Sequence, residues 1–221
     1  MDSAHSSDQG AEPVFSPHKL LIAGGFAVGK TTMVSAISEV RPLLTEEKLT
    51  TASIGHDDLD GVPGKTTTTV ALDYGRITLS SQLVLYLFGV PGQERFWFMW
   101  DELAYGALGA VVLADVRRLD DSFPSVNYFE SRELPFVIAL NCFDGAPRYD
   151  EDEVRDALDL DPGVPVVLCD ARQLASVKQV LITLVEHVAA RRAQWAAAQA
   201  AAARSAGPRV PPASSAAITG R

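Results

Sequence analysis

The sequence predicts a three-layer α/β/α fold, in which a mostly parallel sheet of six strands carries one antiparallel strand at its edge. Two observations predict this fold. Continuous apolar runs alternate with amphipathic segments, as in a parallel sheet whose strands are covered by helices on both faces. Two further apolar runs are separated by only three residues, 80–82, which predicts a hairpin and hence one antiparallel pair.

The predicted strands follow one another along the chain. The first is LLIA at 20–23, and the hairpin joins VALDYGRITL at 70–79 to LVLYLF at 83–88. The remaining three are continuous apolar runs: ALGAVVLA (107–114), LPFVIAL (134–140) and VPVVLC (164–169). Parallel neighbours need right-handed crossovers, so a helix is expected in each gap between them.

The predicted helices fill those gaps, at 31–40, around 95–105, at 122–133 and at 151–160. A last helix is indicated by apolar side chains that share one face: Leu174, Val177, Leu181, Leu184 and Val188. This helix runs on through AQWAAAQAAAAR, a strong helix former, and Gly207-Pro208 should end it.

The domain organisation follows from composition. A chain of 221 residues fits one α/β domain, which we place at 18–190. Residues 1–17 are rich in Ser, Pro and small polar groups and are interpreted as a disordered arm. Residues 191–221, with five arginines and no acidic residue, are interpreted as an Ala-rich helical extension followed by a disordered basic tail. That tail is interpreted as a soluble extension, with contact to an acidic partner or a membrane surface as the alternative.

Charge and hydropathy exclude several classes of function. The net charge of −9 argues against nucleic-acid binding, which needs a basic surface. No run of 18 apolar residues exists, so no membrane span is expected, and any membrane association would be peripheral and through partners. The N-terminus lacks the basic start and apolar stretch of a signal peptide, which predicts a cytoplasmic protein. The two cysteines, Cys142 and Cys169, are expected to be buried free thiols.

A phosphate-binding motif follows the first predicted strand. The segment GGFAVGKT at 24–31 satisfies G-x-x-x-x-G-K-[ST], and it leaves a strand and opens a helix. Its backbone N–H groups can surround phosphate oxygens, Lys30 supplies positive charge, and the Thr31 hydroxyl is a ligand for Mg²⁺. The predicted nucleotide contacts in this segment are Gly25, Ala27, Val28, Gly29, Lys30, Thr31 and Thr32. A bare glycine turn is the alternative.

The segment after the hairpin, GVPGQERF at 89–96, resembles the second switch of Ras-like GTPases, which normally reads D-x-x-G-Q. By that resemblance the Gly92 amide senses a γ-phosphate and Gln93 orients the attacking water. Gly89 stands where the family has an aspartate that holds the metal's water shell. We therefore expect the metal to be held less tightly than in Ras-like proteins, with an acid of the first switch, such as Asp57 or Asp58, or Asp115 at a strand end, as the alternative that takes over the role.

Two later segments resemble the guanine-reading motifs of the same proteins. Asn141-Cys142-Phe143-Asp144 corresponds to N-K-x-D with cysteine for lysine, and Asp170-Ala171-Arg172 stands where the family has S-A-K. A carboxylate at Asp144 accepts from both N–H groups on guanine's Watson–Crick edge, and adenine presents the wrong order of donor and acceptor. Asn141 would brace the loop, and a backbone amide of the second segment would meet guanine O6. A simple Asn-x-x-Asp turn is the alternative.

The first switch is expected in the roughly thirty residues between the first helix and the hairpin, a long irregular segment. Ras-like proteins place a threonine just before the second strand, where it binds Mg²⁺ and senses the γ-phosphate. Thr69 directly precedes Val70 and is favoured, with Thr66, Thr67 and Thr68 as alternatives.

The aromatic run FWFMW at 96–100 has two interpretations. It is either a partner-binding hot spot that changes with the nucleotide or, at helical spacing, part of the core. Trp97 is the residue expected to stay exposed.

The resemblance to Ras-like GTPases covers 18–190 and is greatest to the conservon small GTPases of filamentous bacteria, which group with the MglA-type gliding GTPases. The shared segments are GGFAVGKTT, PGKTTTTVALDYG, FGVPGQERFWFMWDELAYGALGA and NCFDGA. The resemblance implies a switch that binds GTP, GDP and Mg²⁺ and slowly hydrolyses GTP. It also implies two partners, a Roadblock/LC7-type regulatory protein and a sensor-kinase-like protein.

Two functions therefore follow from the sequence. The first is a GTP-hydrolysing signalling switch whose catalytic residues are Lys30, Thr69 and Gln93, with Thr31 and Thr69 on the metal. Its catalytic arginine is unassigned, with Arg76, Arg95 or a partner as the source. The second is a non-hydrolysing guanine-nucleotide adaptor, favoured by the missing aspartate and the missing lysine. A nucleotide or small-molecule kinase is third, because no arginine-rich lid follows the motif.

Overall fold

The computed structural model describes residues 16–41, 43–50, 67–80 and 83–205. Among them seven strands form one sheet. In chain order they are β1 (Ser16–Ala23), β2 (Leu43–Thr50), β3 (Thr67–Ser80), β4 (Leu83–Gly89), β5 (Ala107–Ala114), β6 (Phe136–Asn141) and β7 (Val166–Cys169).

The sheet confirms the predicted fold class. Its strand order is β2-β3-β4-β1-β5-β6-β7, and the neighbours from β4 to β7 all pair in parallel. Strands β3 and β4 form the predicted hairpin and pair antiparallel. Six of the strands are those expected from the sequence, with one antiparallel strand among them.

The position of the antiparallel strand differs from the prediction, because β2 adds a seventh strand to the sheet. It pairs antiparallel with β3, so β3 is the second strand from the edge and β2 is the edge strand. The sequence of β2, LLTEEKLT, places three consecutive charged residues in its middle and shows no continuous apolar run. Charged residues are typical of edge strands, which must avoid pairing with other chains. The segment between the first helix and the hairpin is therefore partly a strand, and residues 51–66 lie outside the described part of the chain.

Helices occur in each predicted gap. They are α1 (Lys30–Ile37), α2 (Trp100–Ala104), α3 (Phe123–Ser131), α4 (Glu151–Ala157) and α5 (Leu174–Ser205). Two 3₁₀ helices, Glu94–Met99 and Val116–Ser122, precede α2 and α3. Asp150 caps α4 in a capping box with Glu153, which explains why that short helix begins there.

The core consists of two apolar layers, one on each face of the sheet. Alternate residues of β1 point to opposite faces: Leu20 and Ile22 pack with α1 and α5, whereas Leu21 and Ala23 pack with α3 and α4. The first layer includes the predicted face of α5 from Val177 to Val188. Leu174 was predicted on that face but is 56% exposed, because it is the first residue of the helix.

The chain divides into two compact units, the first ending at Val188 and the second beginning at Ala189. In the second unit the described residues continue α5 to Ser205, as the Ala-rich sequence predicts, and their side chains are exposed from 189 to 204. Within the described part of the chain, none of the helices combines the length and apolar character that crossing a membrane requires.

Candidate nucleotide-binding site

The phosphate-binding motif lies at the carboxyl end of β1, in the middle of the sheet. The chain turns sharply at Gly24, where φ is +130° and a Cβ would lie 2.2 Å from the backbone oxygen of Leu113. Only glycine fits such a position. Val28 is buried, and Ala27 and Thr32 are exposed at the loop and the start of α1. The sequence thus forms the loop and helix N-terminus that bind phosphate in P-loop proteins.

Lys30 lies inside this loop. Its Nζ donates to the backbone oxygens of Gly24 at 3.0 Å and Gly25 at 2.7 Å. Burial lowers the pKa of Lys30 to about 8, and the negative charge of Asp73 partly opposes that shift. The lysine is therefore mostly charged at pH 7 and loses its proton as pH rises through about 8, and a phosphate in the loop would favour the charged form.

Thr31 contacts an acid that the sequence did not single out. Its hydroxyl donates to Asp73 Oδ2 on β3 at 2.7 Å. A hydroxyl and a carboxylate are hard oxygen donors of the kind Mg²⁺ prefers, and Mg²⁺ typically takes one or two protein ligands together with phosphates and water. Within the described residues, no cluster of three or more His, Cys, Asp or Glu side chains suited to a metal occurs.

Asp73 also lies beside Gly89, the position that lacks the usual aspartate. A Cβ at Gly89 would lie 2.8 Å from the Asp73 Cβ and 3.0 Å from its Oδ2. A carboxylate from the neighbouring strand therefore occupies the space into which a side chain at 89 would extend. Sequence reasoning missed Asp73, although the short hairpin link sets Tyr74 opposite Phe88 and so brings Asp73 to Gly89.

The acids that the sequence suggested for this role are placed differently. The Asp115 carboxylate accepts from Arg117 through both oxygens, at 2.7–3.2 Å, and these hydrogen bonds lower the pKa of Asp115. Asp115 is thus paired with Arg117 in this structure, and its role in place of the missing aspartate stays a prediction. Asp57 and Asp58 lie outside the described residues.

The loop after β4 lies directly against the phosphate-binding loop. A Cβ at Gly92 would lie 2.6 Å from the Gly24 oxygen and 3.0 Å from Lys30 Nζ. Gln93 follows at the start of the 3₁₀ helix Glu94–Met99, and its backbone oxygen accepts from the Phe96 N–H at 3.0 Å. The structure thus brings the Gly92 backbone against the phosphate-binding loop and Lys30.

The aromatic run after this loop divides between core and surface. Phe96, Met99 and Trp100 are buried, whereas Trp97 is 40% and Phe98 is 44% exposed. The exposure expected for Trp97 is confirmed and part of the run belongs to the core, whereas a partner-binding role of the exposed residues stays a prediction.

Asn141 joins two of the predicted segments. Its Nδ2 donates to the backbone oxygen of Val28 at 2.9 Å, and its Oδ1 accepts from the Ala171 N–H at 3.1 Å. Asn141 is buried at the end of β6, where it braces the phosphate-binding loop and the 170–172 loop together, as the sequence predicted. The amides that could meet a base oxygen are both engaged: Ala171 with Asn141, and the Arg172 N–H with Asp170 Oδ1 at 3.0 Å.

Asp144 lies beside this brace in an open cleft of about 480 Å³. Arg172 donates to both of its oxygens, at 3.0 and 3.1 Å, and also donates twice to Asp170, at 2.9 and 3.0 Å. Hydrogen bonds from Arg172 lower the pKa values of both aspartates, so both carboxylates stay ionised at neutral pH. The structure brings the two predicted base-reading segments together, with one guanidinium bridging their carboxylates.

Cys142 and Cys169 are free thiols near this cleft, as expected. Cys169 is buried, which raises its pKa to about 11. Cys142 was expected to be buried as well but is only half-buried, because it lines the open cleft.

The first switch is described only in part. Thr69 lies on β3 opposite Lys48, with its side chain outside the described atoms, and Thr66 lies outside the described residues. The Arg95 side chain is also outside the description. Arg76 lies on β3 opposite Tyr86, three positions from the phosphate end of β4, so the structure does not bring it to the loop. Thr69 and Arg95 remain predictions.

Comparisons with known proteins agree with this geometry. The model of the family described as "Conserved hypothetical ATP binding protein" matches residues 22–191. An uncharacterised protein of Methanocaldococcus jannaschii is 27% identical over 125 residues, which is 56% of this chain and 68% of that protein.

Solved structures share the fold at low sequence identity. The G domain of the T. maritima FeoB iron transporter has a TM-score of 0.54 at 20% identity, covering 78% of this chain and 99% of that one. The FeoB G domain from Methanococcus jannaschii has a TM-score of 0.53 at 15% identity, covering 79% and 99%. The cytosolic domain of T. maritima FeoB in a GDP form has a TM-score of 0.56 at 20% identity, covering 79% and 64%. The chain therefore has the fold of a P-loop G domain and belongs to the family of conserved hypothetical ATP binding proteins.

Proposed function

We propose that this chain is a guanine-nucleotide-binding molecular switch that slowly hydrolyses GTP to GDP, through a domain at 18–190. The observation that carries the proposal is the double hydrogen bond of Asn141, which ties the phosphate-binding loop at Val28 to the 170–172 loop at Ala171. Base recognition requires the base-reading loops to be positioned relative to the phosphate-binding loop, and this brace links the 170–172 loop to it.

The choice of guanine over adenine rests on Asp144. Its ionised carboxylate has no donor, and each oxygen accepts one N–H of Arg172, which leaves a second lone pair on each for the two adjacent N–H donors of guanine. Adenine would leave one carboxylate oxygen facing an acceptor, which costs binding free energy. The description of the family names ATP, so base choice is the part of the proposal that most needs measurement.

The phosphate chemistry is assigned to residues around the loop. Lys30 and the loop amides would hold the β- and γ-phosphates, and the Gly92 amide would contact the γ-phosphate. Thr31 and Asp73 would hold Mg²⁺, with Thr69 as a further ligand from the first switch. The ion would supply positive charge against the β- and γ-oxygens. Gln93 would orient the water whose oxygen bonds to the γ-phosphorus as the bond to the β–γ bridging oxygen breaks.

A non-hydrolysing adaptor is the second candidate, because Gly89 and Cys142 both depart from the motifs of hydrolysing relatives. Signalling through a Roadblock/LC7-type protein and a sensor-kinase-like protein is proposed on the motif resemblance to conservon and MglA-type GTPases alone. Either candidate would act through such partners.

Single-turnover hydrolysis separates the two candidates. We expect slow conversion of GTP to GDP, no comparable conversion of ATP, and a lower rate in Gln93→Leu with nucleotide affinity close to the wild-type value. Arg132→Ala, which removes an exposed arginine paired with Asp101, is the matched control and should hydrolyse GTP at the wild-type rate. Equal rates in wild type and Gln93→Leu would favour the adaptor.

A further inference from the structure

Arg118 reaches the phosphate-binding loop from a distant part of the sequence. It lies on the 3₁₀ helix Val116–Ser122, after β5, and its Nη2 donates to the backbone oxygen of Phe26 at 3.0 Å. Phe26 is in the middle of the 24–31 loop, with its side chain 64% exposed. A guanidinium therefore sits on the rim of the loop that the sequence assigns to phosphate.

A second residue of the same helix packs on the neighbouring loop position. A Cβ at Gly25 would lie 2.7 Å from the Asp121 Cβ, and the Asp121 carboxylate pairs with Arg118 Nη1 at 3.5 Å. The helix thus contacts Gly25 and Phe26 together, which fixes where the Arg118 side chain meets the loop.

The loop has two distinguishable ends, and Arg118 is at the end of the terminal phosphate. Gly92 approaches Gly25, whose backbone carbon would be 3.1 Å from a Cβ at 92, and Lys30 Nζ bonds the Gly25 oxygen. The base end is marked by Asn141 on Val28. Gly25 is therefore contacted by the γ-phosphate-sensing loop and by the helix that carries Arg118.

The other described arginines near the site are held by carboxylates. Arg117 is held by Asp115 and lies over the Phe143 ring at 4.1 Å, and Arg172 bridges two aspartates. Arg118 has a half-exposed side chain, one long ion pair and a neutral carbonyl as acceptor. Loose exposed pairs contribute little to stability, whereas a phosphate is a much stronger acceptor for a guanidinium than a peptide oxygen.

We propose that Arg118 is a second cationic ligand of the nucleotide's terminal phosphate, supplied in cis beside Lys30. The inference rests on the proposed nucleotide-binding function and extends it, because it assigns a residue that distinguishes the triphosphate from the diphosphate. A triphosphate places its γ-phosphate beside Gly92 and Lys30, within the region that the Arg118 side chain borders. A diphosphate lacks that group, so Arg118 should contribute less to its binding.

The test compares a non-hydrolysable triphosphate analogue with the diphosphate, using both guanine and adenine nucleotides, on three variants. Arg118→Ala removes charge and donor, Arg118→Gln keeps a donor without charge, and Arg118→Lys keeps the charge. We expect Arg118→Ala and Arg118→Gln to lower the affinity for the triphosphate analogue about tenfold or more and the affinity for the diphosphate less than about twofold. Hydrogen bonds between charged groups are stronger than those between neutral groups. Lys should retain most of the wild-type affinity. Arg132→Ala is the matched control and should change neither affinity.

Equal losses of affinity for the triphosphate analogue and the diphosphate would overturn the proposal, since they would mean that Arg118 only stabilises the loop. So would wild-type affinity in Arg118→Gln, because the neutral donor would then suffice. Thermal unfolding without nucleotide identifies a variant that fails to fold. The affinities of the remaining variants then test the role of Arg118. A wild type that prefers adenine would refute the guanine assignment alone. The affinities for the adenine triphosphate analogue and the adenine diphosphate would still test the role of Arg118. A wild type that binds no nucleotide would refute both proposals.

Discussion

The hydroxyl of Thr31 donates to the carboxylate of Asp73 at 2.7 Å, although 42 residues separate them in sequence. Asp73 lies on β3, and its Cβ is 2.8 Å from where a side chain at Gly89 would begin. We propose that Asp73, from the neighbouring antiparallel strand, takes the role that the resemblance to Ras-like proteins gives to an aspartate at position 89, at the end of β4. The glycine at 89 leaves room for it.

Replacing Asp73 tests this relationship. Asp73→Asn keeps the shape of the side chain but removes the charge, so Mg²⁺ should be held about 10–100-fold less tightly. The measurement is the rate of GDP release against free Mg²⁺, which should respond sharply in wild type and weakly in the variant. A release rate that responds to Mg²⁺ equally in both proteins would show that Asp73 does not hold the metal.

A reciprocal exchange gives the matched control. Gly89→Asp alone should destabilise the protein, because its Cβ would lie 2.8 Å from the Asp73 Cβ and the two carboxylates would repel each other. Asp73→Gly combined with Gly89→Asp returns the acid to the position it has in Ras-like proteins. This double variant should recover much of the Mg²⁺ response that Asp73→Gly loses. If the double variant responds to Mg²⁺ no better than Asp73→Gly alone, the proposal that the two positions can exchange their acid is contradicted.

The lowered pKa of Lys30 predicts that nucleotide binding takes up a proton and that this uptake depends on pH. Its pKa is lowered to about 8 by burial, and bound phosphates should raise it, so nucleotide affinity should fall as pH rises through 8. Binding of GDP at pH 8.5 should then take up part of a proton, seen as a binding heat that depends on the ionisation enthalpy of the buffer. At pH 7 Lys30 is already charged and the uptake should disappear. A heat independent of the buffer at pH 8.5 would contradict the assignment.

The lowered pKa of Lys30 also makes the free energy of unfolding depend on pH. Because the pKa of Lys30 in the folded chain lies below the usual lysine value of 10.5, the unfolded chain binds more protons between about pH 8 and 10.5. The contribution of Lys30 therefore makes the free energy of unfolding rise with pH across that window.

Trp100 should report the state of the loop after β4. Its Nε1 donates to the backbone oxygen of Pro91 at 3.1 Å, next to Gly92, and its ring contacts Trp97 at a centroid distance of 6.0 Å. In a Trp195→Phe background, which removes the exposed tryptophan of the Ala-rich helix, we expect different fluorescence with GDP and with a triphosphate analogue. The difference should decrease on adding Trp100→Phe, leaving only the part that Trp97 reports. Identical spectra with both nucleotides would argue against movement of this loop.

The sequence predicted the strands and phosphate-binding loop well because their signals are local. Strands β5 and β6 are continuous apolar runs, and the motif at 24–31 is defined by glycine and lysine spacing. Strand β2 was missed because LLTEEKLT has neither a continuous apolar run nor regular alternation. Its pairing with β3 depends on an edge that only the folded sheet provides.

The site was predictable in its motifs and less so in its contacts. Asn141 was expected to brace the loop and does so, because the motif itself encodes that position. Asp73 could have been found from the hairpin, since a link of a few residues fixes which residue of β3 lies beside Gly89. Arg118 could not, because its contact with Phe26 joins residues 92 positions apart through the packing of a 3₁₀ helix.

The central claim is that Asp144 selects guanine, and paired titrations with fluorescent GDP and ADP test it most directly. Wild type should prefer GDP by at least about a hundredfold, because a carboxylate that meets the wrong base edge is left with an unpaired charge. Asp144→Asn should lose most of that preference, since an amide replaces one acceptor by a donor. Equal affinities for GDP and ADP in wild type, or a preference for ADP, would contradict the account.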